Sequence, residues 1–202
     1  MQRLSSVTGI ILSGGKSTRM GENKALIEIE GVPIIRRIHL LFQQLFEEVI
    51  IVTNEKHLFQ NLEARIVGDL FPDGGALGGL YTGLFFSSFR YAFCVACDMP
   101  YLNGGLIRYL FERARDHDVI VPKTKDGLEP LHAYYRRSCM DPIRAALEQG
   151  QYKILDFYPL VKANVIAEEE FHALDPDGRS FINVNTPDEL MRIRGKTAGV
   201  SR

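Results

Sequence analysis

The chain has 202 residues, 46% of them hydrophobic, with 24 Lys and Arg against 25 Asp and Glu and a net charge of -1. That length is enough to close one sizeable core. The neutral balance excludes wrapping of nucleic acid by bulk electrostatics, so any phosphate chemistry must come from locally placed cations.

The first apolar run, residues 8–12, ends in Ser13-Gly14-Gly15-Lys16 and predicts a strand buried on both faces of a parallel sheet. From Pro33, apolar residues Ile34, Ile35, Ile38, Leu41, Phe42 and Leu45 recur at spacings of three and four, which predicts an amphipathic helix with proline in its first turn. Strands are predicted at 48–53 and 64–68 around a short helix at 56–62. A glycine-rich loop at 71–79 leads into a helix ending at Phe86. The run 91–97 is apolar throughout and stops at Asp98-Met99-Pro100, and a helix with Leu106, Ile107, Leu110, Phe111 and Ala114 inward follows. Further strands are predicted at 119–122, 130–135 and 164–167, with helices at 141–147 and 188–194. Strand and helix alternate, the signature of βαβ units, and right-handed crossovers make this a three-layer α/β/α domain with a mostly parallel sheet. It spans residues 1–195, and 196–202 form a disordered tail.

No apolar run approaches the roughly 18 residues that span a bilayer. The three cysteines, Cys94, Cys97 and Cys139, are too few for a disulfide framework. The expectation is a cytoplasmic chain with no membrane span and no secretory leader. Cys94 and Cys97 have the spacing of a redox or zinc pair. On an extended strand, however, residues three apart point to opposite faces, which favours two buried structural thiols.

In open α/β sheets a ligand lies beyond the carboxyl ends of the strands, so the residues just after each apolar run carry the chemistry. After the first strand, Gly14 and Gly15 let backbone N–H groups converge on phosphate oxygens, and Arg19 and Lys24 supply charge. A plain solvated turn is the competing reading. A Walker A loop does not fit, because five residues, not four, separate Gly9 from Gly15-Lys16-Ser17. The dinucleotide fingerprint does not fit either, because no two glycines are separated by a single residue. Asp98, at a strand end ahead of Pro100, is a hard ligand suited to Mg²⁺ or a cap for the next turn. Asn183 and Asn185 alternate about Val184, so either both amides reach the ligand or both belong to a turn before Pro187.

The string Leu12-Ser-Gly-Gly-Lys-Ser-Thr-Arg-Met-Gly-Glu-Asn-Lys24 resembles the Leu-Ala-Gly-Gly-x-x-x-Arg-Met-Gly-x-Asp-Lys signature of nucleotidyltransferases that activate sugars and cofactors. Gly75-Ala-Leu-Gly-Gly79 and Cys97-Asp98-Met99-Pro100 are similar to two further motifs of that superfamily. Pro130-Leu-His-Ala-Tyr134 and Phe181-Ile-Asn-Val-Asn-Thr-Pro187 resemble the later motifs of its molybdenum cofactor guanylyltransferase branch. Asn23 and Ala76 depart from the pattern, standing where Asp and Pro are usual.

The resemblance implies a Rossmann-like nucleotidyltransferase that moves GMP from GTP onto the phosphate of molybdenum-molybdopterin, with Mg²⁺ on Asp98. It implies catalytic roles for Arg19, Lys24 and Asp98, and nucleotide binding by Leu12, Ser13, Gly14, Gly15, Lys24, Asn54, Asp69 and Asp98. His132, Asn183 and Asn185 are placed near the second substrate. Proteins that deliver molybdopterin, or apo-molybdoenzymes, are the implied partners. Within the superfamily, a cytidylyltransferase or a sugar- or polyol-phosphate transferase is the nearest alternative. A non-catalytic nucleotide-binding adaptor is the alternative from another class.

Overall fold

A computed structural model describes residues 3–14 and 24–184. Gly15, Arg19, Asn23 and Asn185, the helix at 188–194 and the tail at 196–202 lie outside the described residues.

The first strand, β1 (Leu4–Leu12), is followed after the signature loop by a 3₁₀ turn, Lys24–Leu26. A hairpin of β2 (Glu28–Ile29) and β3 (Val32–Pro33) comes next, and the sequence analysis did not foresee it. Its two-residue loop, Glu30-Gly31, has φ of 54° and 76°, the left-handed pair that a primed hairpin turn requires. Helix α1 (Ile34–Leu45) lies where periodicity placed it, although Pro33 stands just before its first turn rather than within it. The chain continues through β4 (Phe46–Val52), β5 (Arg65–Val67), α2 (Gly75–Phe86) and β6 (Tyr91–Ala96). Next come α3 (Gly104–Phe111), β7 (Val119–Thr124), β8 (Gly127–Leu128) and β9 (His132–Arg136). Helix α4 (Met140–Glu148), β10 (Ala163–Ala167) and α5 (Glu168–Phe171) complete the described elements.

Eight strands form one sheet in the order β10-β7-β9-β6-β1-β4-β5, with β8 paired to β7. β1, β4, β5 and β6 are mutually parallel, as are β7 and β10. β9 runs against both β6 and β7, and β8 runs against β7. The expected mostly parallel, three-layer α/β architecture is therefore present, with one reversed strand inside the sheet.

Strand alternation sorts the core into two layers. Val7, Ile11, Ile51 and Phe93 pack with α1 and α3, while Ile10, Leu12, Ile50 and Cys94 pack with α2 and α4. Cys94 thus belongs to one layer and Cys97 packs against the other, so the two thiols diverge as the spacing implied. Two glycines allow the helices to sit this close. A Cβ at Gly9 would lie 2.5 Å from ring atoms of Phe42 and Phe46, and one at Gly83 would lie 2.6 Å from Ile10.

One expectation needs correction, and one element was not expected. The strand predicted from Pro130 begins only at His132, because the His132 N–H donates to the Glu129 carbonyl at 3.0 Å and closes a turn over 129–132. Between α4 and β10 lies a 3₁₀ helix, Ile154–Leu160, that buries Ile154 and Phe157. Among the described residues, no helix is long and apolar enough to cross a membrane.

Candidate active site

Because β6, β1, β4 and β5 are adjacent and parallel, the residues that follow them line up along one edge of the sheet. Ser13 and Gly14, Thr53 and Asn54, Gly68 and Asp69, and Cys97 and Asp98 stand side by side there. The ladder persists one residue beyond the strands. Ser13 N–H donates to the Val52 carbonyl (2.9 Å), Thr53 N–H to Val67 (2.9 Å) and Cys97 N–H to Leu12 (3.0 Å). These loops therefore leave a rigid edge, with their backbone groups held in register.

Asp98 is the centre of this edge. Its carboxylate is 17% exposed, and the Lys24 ammonium lies 3.9 Å from Oδ2. That separation is an ion pair rather than a hydrogen bond. Buried Ala25 anchors the 3₁₀ turn that carries Lys24. The Val184 N–H donates to the Asp98 carbonyl at 2.9 Å, which brings exposed Asn183 and the far end of the described chain to the same place. Burial and the neighbouring Asp98 charge push the Cys97 thiol up to about 12, so the sulfur next to Asp98 is no nucleophile at neutral pH.

On the β4 and β5 side, the candidate nucleotide ligands are held by the fold itself. Ser13 is buried and Gly14 is exposed, and no atom of the described residues lies within 4 Å of a Cβ built at Gly14, so among them its backbone is open to a ligand. Asn54 Oδ1 accepts from the Asp69 N–H at 3.1 Å. Asp69 Oδ1 accepts from the Phe71 N–H at 2.9 Å and from the Thr82 hydroxyl at 2.8 Å. Asn54 and Asp69 thus lock the loop between β5 and α2 onto the helix. Lys56, which no motif marked, holds its ammonium 3.6 Å from the space a Gly68 side chain would fill and so adds a cation on this side.

His132 stands apart from the exposed edge. It is fully buried, and its ring lies 5.0 Å from both Phe93 and Phe181. Neither ring nitrogen has a hydrogen-bond partner among the described residues. This side chain is expected near the second substrate, but in the structure it packs beneath Phe181. Burial drives its pKa down to about 3, below the roughly 6.5 of an unfolded histidine. Below pH ~6.5 the unfolded state therefore binds the extra proton. Stability falls as pH drops from there towards 3, by at most ~1.4 kcal/mol per pH unit. His132→Phe keeps a ring in the aromatic pocket and removes the titration, so it should lose less stability in urea melts between pH 6.5 and pH 4.5 than the unmodified protein. Equal acid losses in the two proteins would refute this.

The same segment carries a residue that the motifs did not single out. The Arg179 guanidinium lies over the Tyr101 ring at 4.6 Å, just beyond the Asp98-Met99-Pro100 exit. Asp175 fixes the turn by accepting from the Arg179 and Ser180 N–H groups at 3.1 and 2.9 Å.

Among the described residues, no three His, Cys, Asp or Glu groups are arranged to hold a metal. A single carboxylate at a strand end still fits Mg²⁺, which is usually held by one or two carboxylates with phosphate oxygens and water.

A family model, the MobA-like NTP transferase domain, matches residues 9–164, from β1 to β10. The chain belongs to the MobA-like NTP transferase family. It is therefore a nucleotidyltransferase, and its relatives narrow the branch. It is 40% identical to a Pelotomaculum thermopropionicum protein named "probable molybdenum cofactor guanylyltransferase", over 93% of this chain and 91% of that one. A Desulfosudis oleivorans molybdenum cofactor guanylyltransferase is 39% identical over 93% and 94% of the two chains. In three dimensions, this MobA-like chain matches molybdopterin-guanine dinucleotide biosynthesis protein A from Archaeoglobus fulgidus with a TM-score of 0.81, at 27% identity, covering 96% of this chain and all of that one.

Proposed function

We propose that the chain transfers GMP from GTP to the terminal phosphate of molybdenum-molybdopterin, forming the guanine dinucleotide and releasing pyrophosphate, in the cytoplasm. The observation that carries this reading is the Lys24–Asp98 pair at the carboxyl edge, with exposed Gly14 on one side and the Val184 strap on the other. The names of the relatives supply the substrates. The free Cys94, Cys97 and Cys139 fit a reducing compartment.

In the reaction, an oxygen of the acceptor phosphate attacks the α-phosphorus of GTP, and the bond to the bridging oxygen of the β-phosphate breaks. A phosphate monoester has a second pKa of about 6 and is largely ionised at neutral pH, so no general base is required. The protein's task is in-line positioning and neutralisation of charge. Asp98 would hold Mg²⁺, which when bound neutralises the triphosphate oxygens. The Gly14 amide would face the nucleotide, positioned by Ser13, whose own N–H is held by the Val52 carbonyl. Lys24 and Arg19 would take charge on the leaving pyrophosphate. The loop locked by Asn54 and Asp69 would border the base and ribose. Asn183, beside the Val184 anchor, would face the acceptor together with Asn185. Proteins that supply molybdopterin or receive the dinucleotide would dock as partners.

Pyrophosphate release measured with molybdenum-molybdopterin and either GTP or CTP tests the assignment. Turnover with GTP and little with CTP is expected. Turnover with CTP alone would make the chain a cytidylyltransferase, and release with neither would support the adaptor reading.

A further inference from the structure

We propose that Arg179, stacked on Tyr101, binds the phosphate monoester of the acceptor and is a substrate-binding residue on the side of Asp98 opposite the nucleotide. The inference rests on the reading of Asp98 as the centre of the reaction.

Topology gives the side. β6, which leads into Asp98, lies between β1 and β9. The glycine loop and Lys24 follow β1, whereas the turn containing Arg179 is held against β9, where Phe181 packs on the His132 ring at 5.0 Å. Two further bonds bring this turn towards Asp98. Ser180 Oγ accepts from the Asn103 N–H at 3.1 Å, and the Val184 N–H reaches the Asp98 carbonyl at 2.9 Å. The Arg179 turn therefore lies on the β9 side of the strand that leads into Asp98, whereas Lys24 arrives from the β1 side.

The state of the guanidinium gives the chemistry. Asp175 spends both of its carboxylate oxygens on backbone N–H groups of the turn rather than on the Arg179 side chain. Among the described residues, every ion pair involves other cations, so Arg179 has no carboxylate within 4.0 Å. Its contact is with the face of Tyr101, at 4.6 Å. Stacking restrains the guanidinium plane and leaves the N–H edge available, and that edge matches two phosphate oxygens in a fork. The triphosphate already has the loop cations on the β1 side, so the anion left for Arg179 is the attacking phosphate. Holding that group in line requires a directional donor more than a point charge.

Steady-state kinetics with GTP and molybdenum-molybdopterin separate the two sources of phosphate. Arg179→Ala is expected to raise the acceptor KM about 10- to 100-fold and change the GTP KM by less than about twofold. Arg179→Lys keeps the charge without the fork and should fall between. Tyr101→Leu, which removes the stack, should raise the acceptor KM by a smaller factor. Equilibrium dialysis of molybdopterin in the absence of nucleotide should show the same weakening in Arg179→Ala, which tests the inference even if GTP proves to be the wrong donor. A rise in GTP KM equal to that for the acceptor would place Arg179 on the triphosphate. An unchanged acceptor KM in folded Arg179→Ala, or a Lys variant as impaired as the Ala variant with an equally lowered melting temperature, would reduce Arg179 to a structural prop. Either result overturns the proposal.

Discussion

Asp98→Asn is expected to lower Mg²⁺-dependent pyrophosphate release by about 10²- to 10³-fold while the protein stays folded. The substitution keeps the size of the side chain and one carbonyl oxygen but removes the charge that a hard divalent ion needs. The Asp98 carbonyl, which holds Val184, belongs to the backbone and is untouched, so the edge keeps its shape. Residual activity should rise with added Mg²⁺ and half-saturate at a higher concentration than in the unmodified protein. Near-normal activity at ordinary Mg²⁺ would show that the metal, or the reaction, lies elsewhere.

Lys24→Met is the second large expected loss, about a hundredfold in kcat, with a melting temperature within a few degrees of the starting value. The asymmetry follows from where the ammonium does its work. In the free protein it forms a 3.9 Å pair with a partly exposed carboxylate, its own side chain being 30% exposed. Such pairs contribute at most ~1 kcal/mol to stability. Opposite a triphosphate, the same charge meets an anion that grows more localised as pyrophosphate departs. Lys24→Arg should rescue poorly, because a planar fork replaces a compact charge. A variant that melts many degrees lower but turns over normally would show Lys24 to be structural.

The sheet was legible because its strands are continuous apolar runs that end at punctuating residues. Thr53-Asn54 and Asp98-Met99-Pro100 mark strand ends in the sequence, and in the structure these residues follow β4 and β6. The helix from Ile34 was legible for the same physical reason, a one-sided apolar stripe. The Ile154–Leu160 segment was not, since a 3₁₀ helix has no amphipathic period of 3.6 and Pro159 reads as a breaker. The reversed direction of β9 also escaped, because an apolar run carries no sign of its polarity.

Within the site, Lys24 and Asp98 were named from motifs, and the fold brings them together. His132 illustrates the limit of that method: its place in a motif reflects a buried contact between two phenylalanine rings. Arg179 illustrates the converse, since a lone arginine in a polar turn acquires meaning only once Tyr101 is seen beneath it.

The tether from Val184 to Asp98 also bears on synthesis. The strands that carry the glycine loop and Asp98 are complete early in translation, yet the edge between them is fastened at one end by Leu12 and at the other by a residue more than 80 positions after Asp98. A nascent chain can thus complete β1 and β6 well before it can finish the reaction centre. A message truncated ahead of Val184 would yield a protein that folds in outline but lacks the strap beside Asp98.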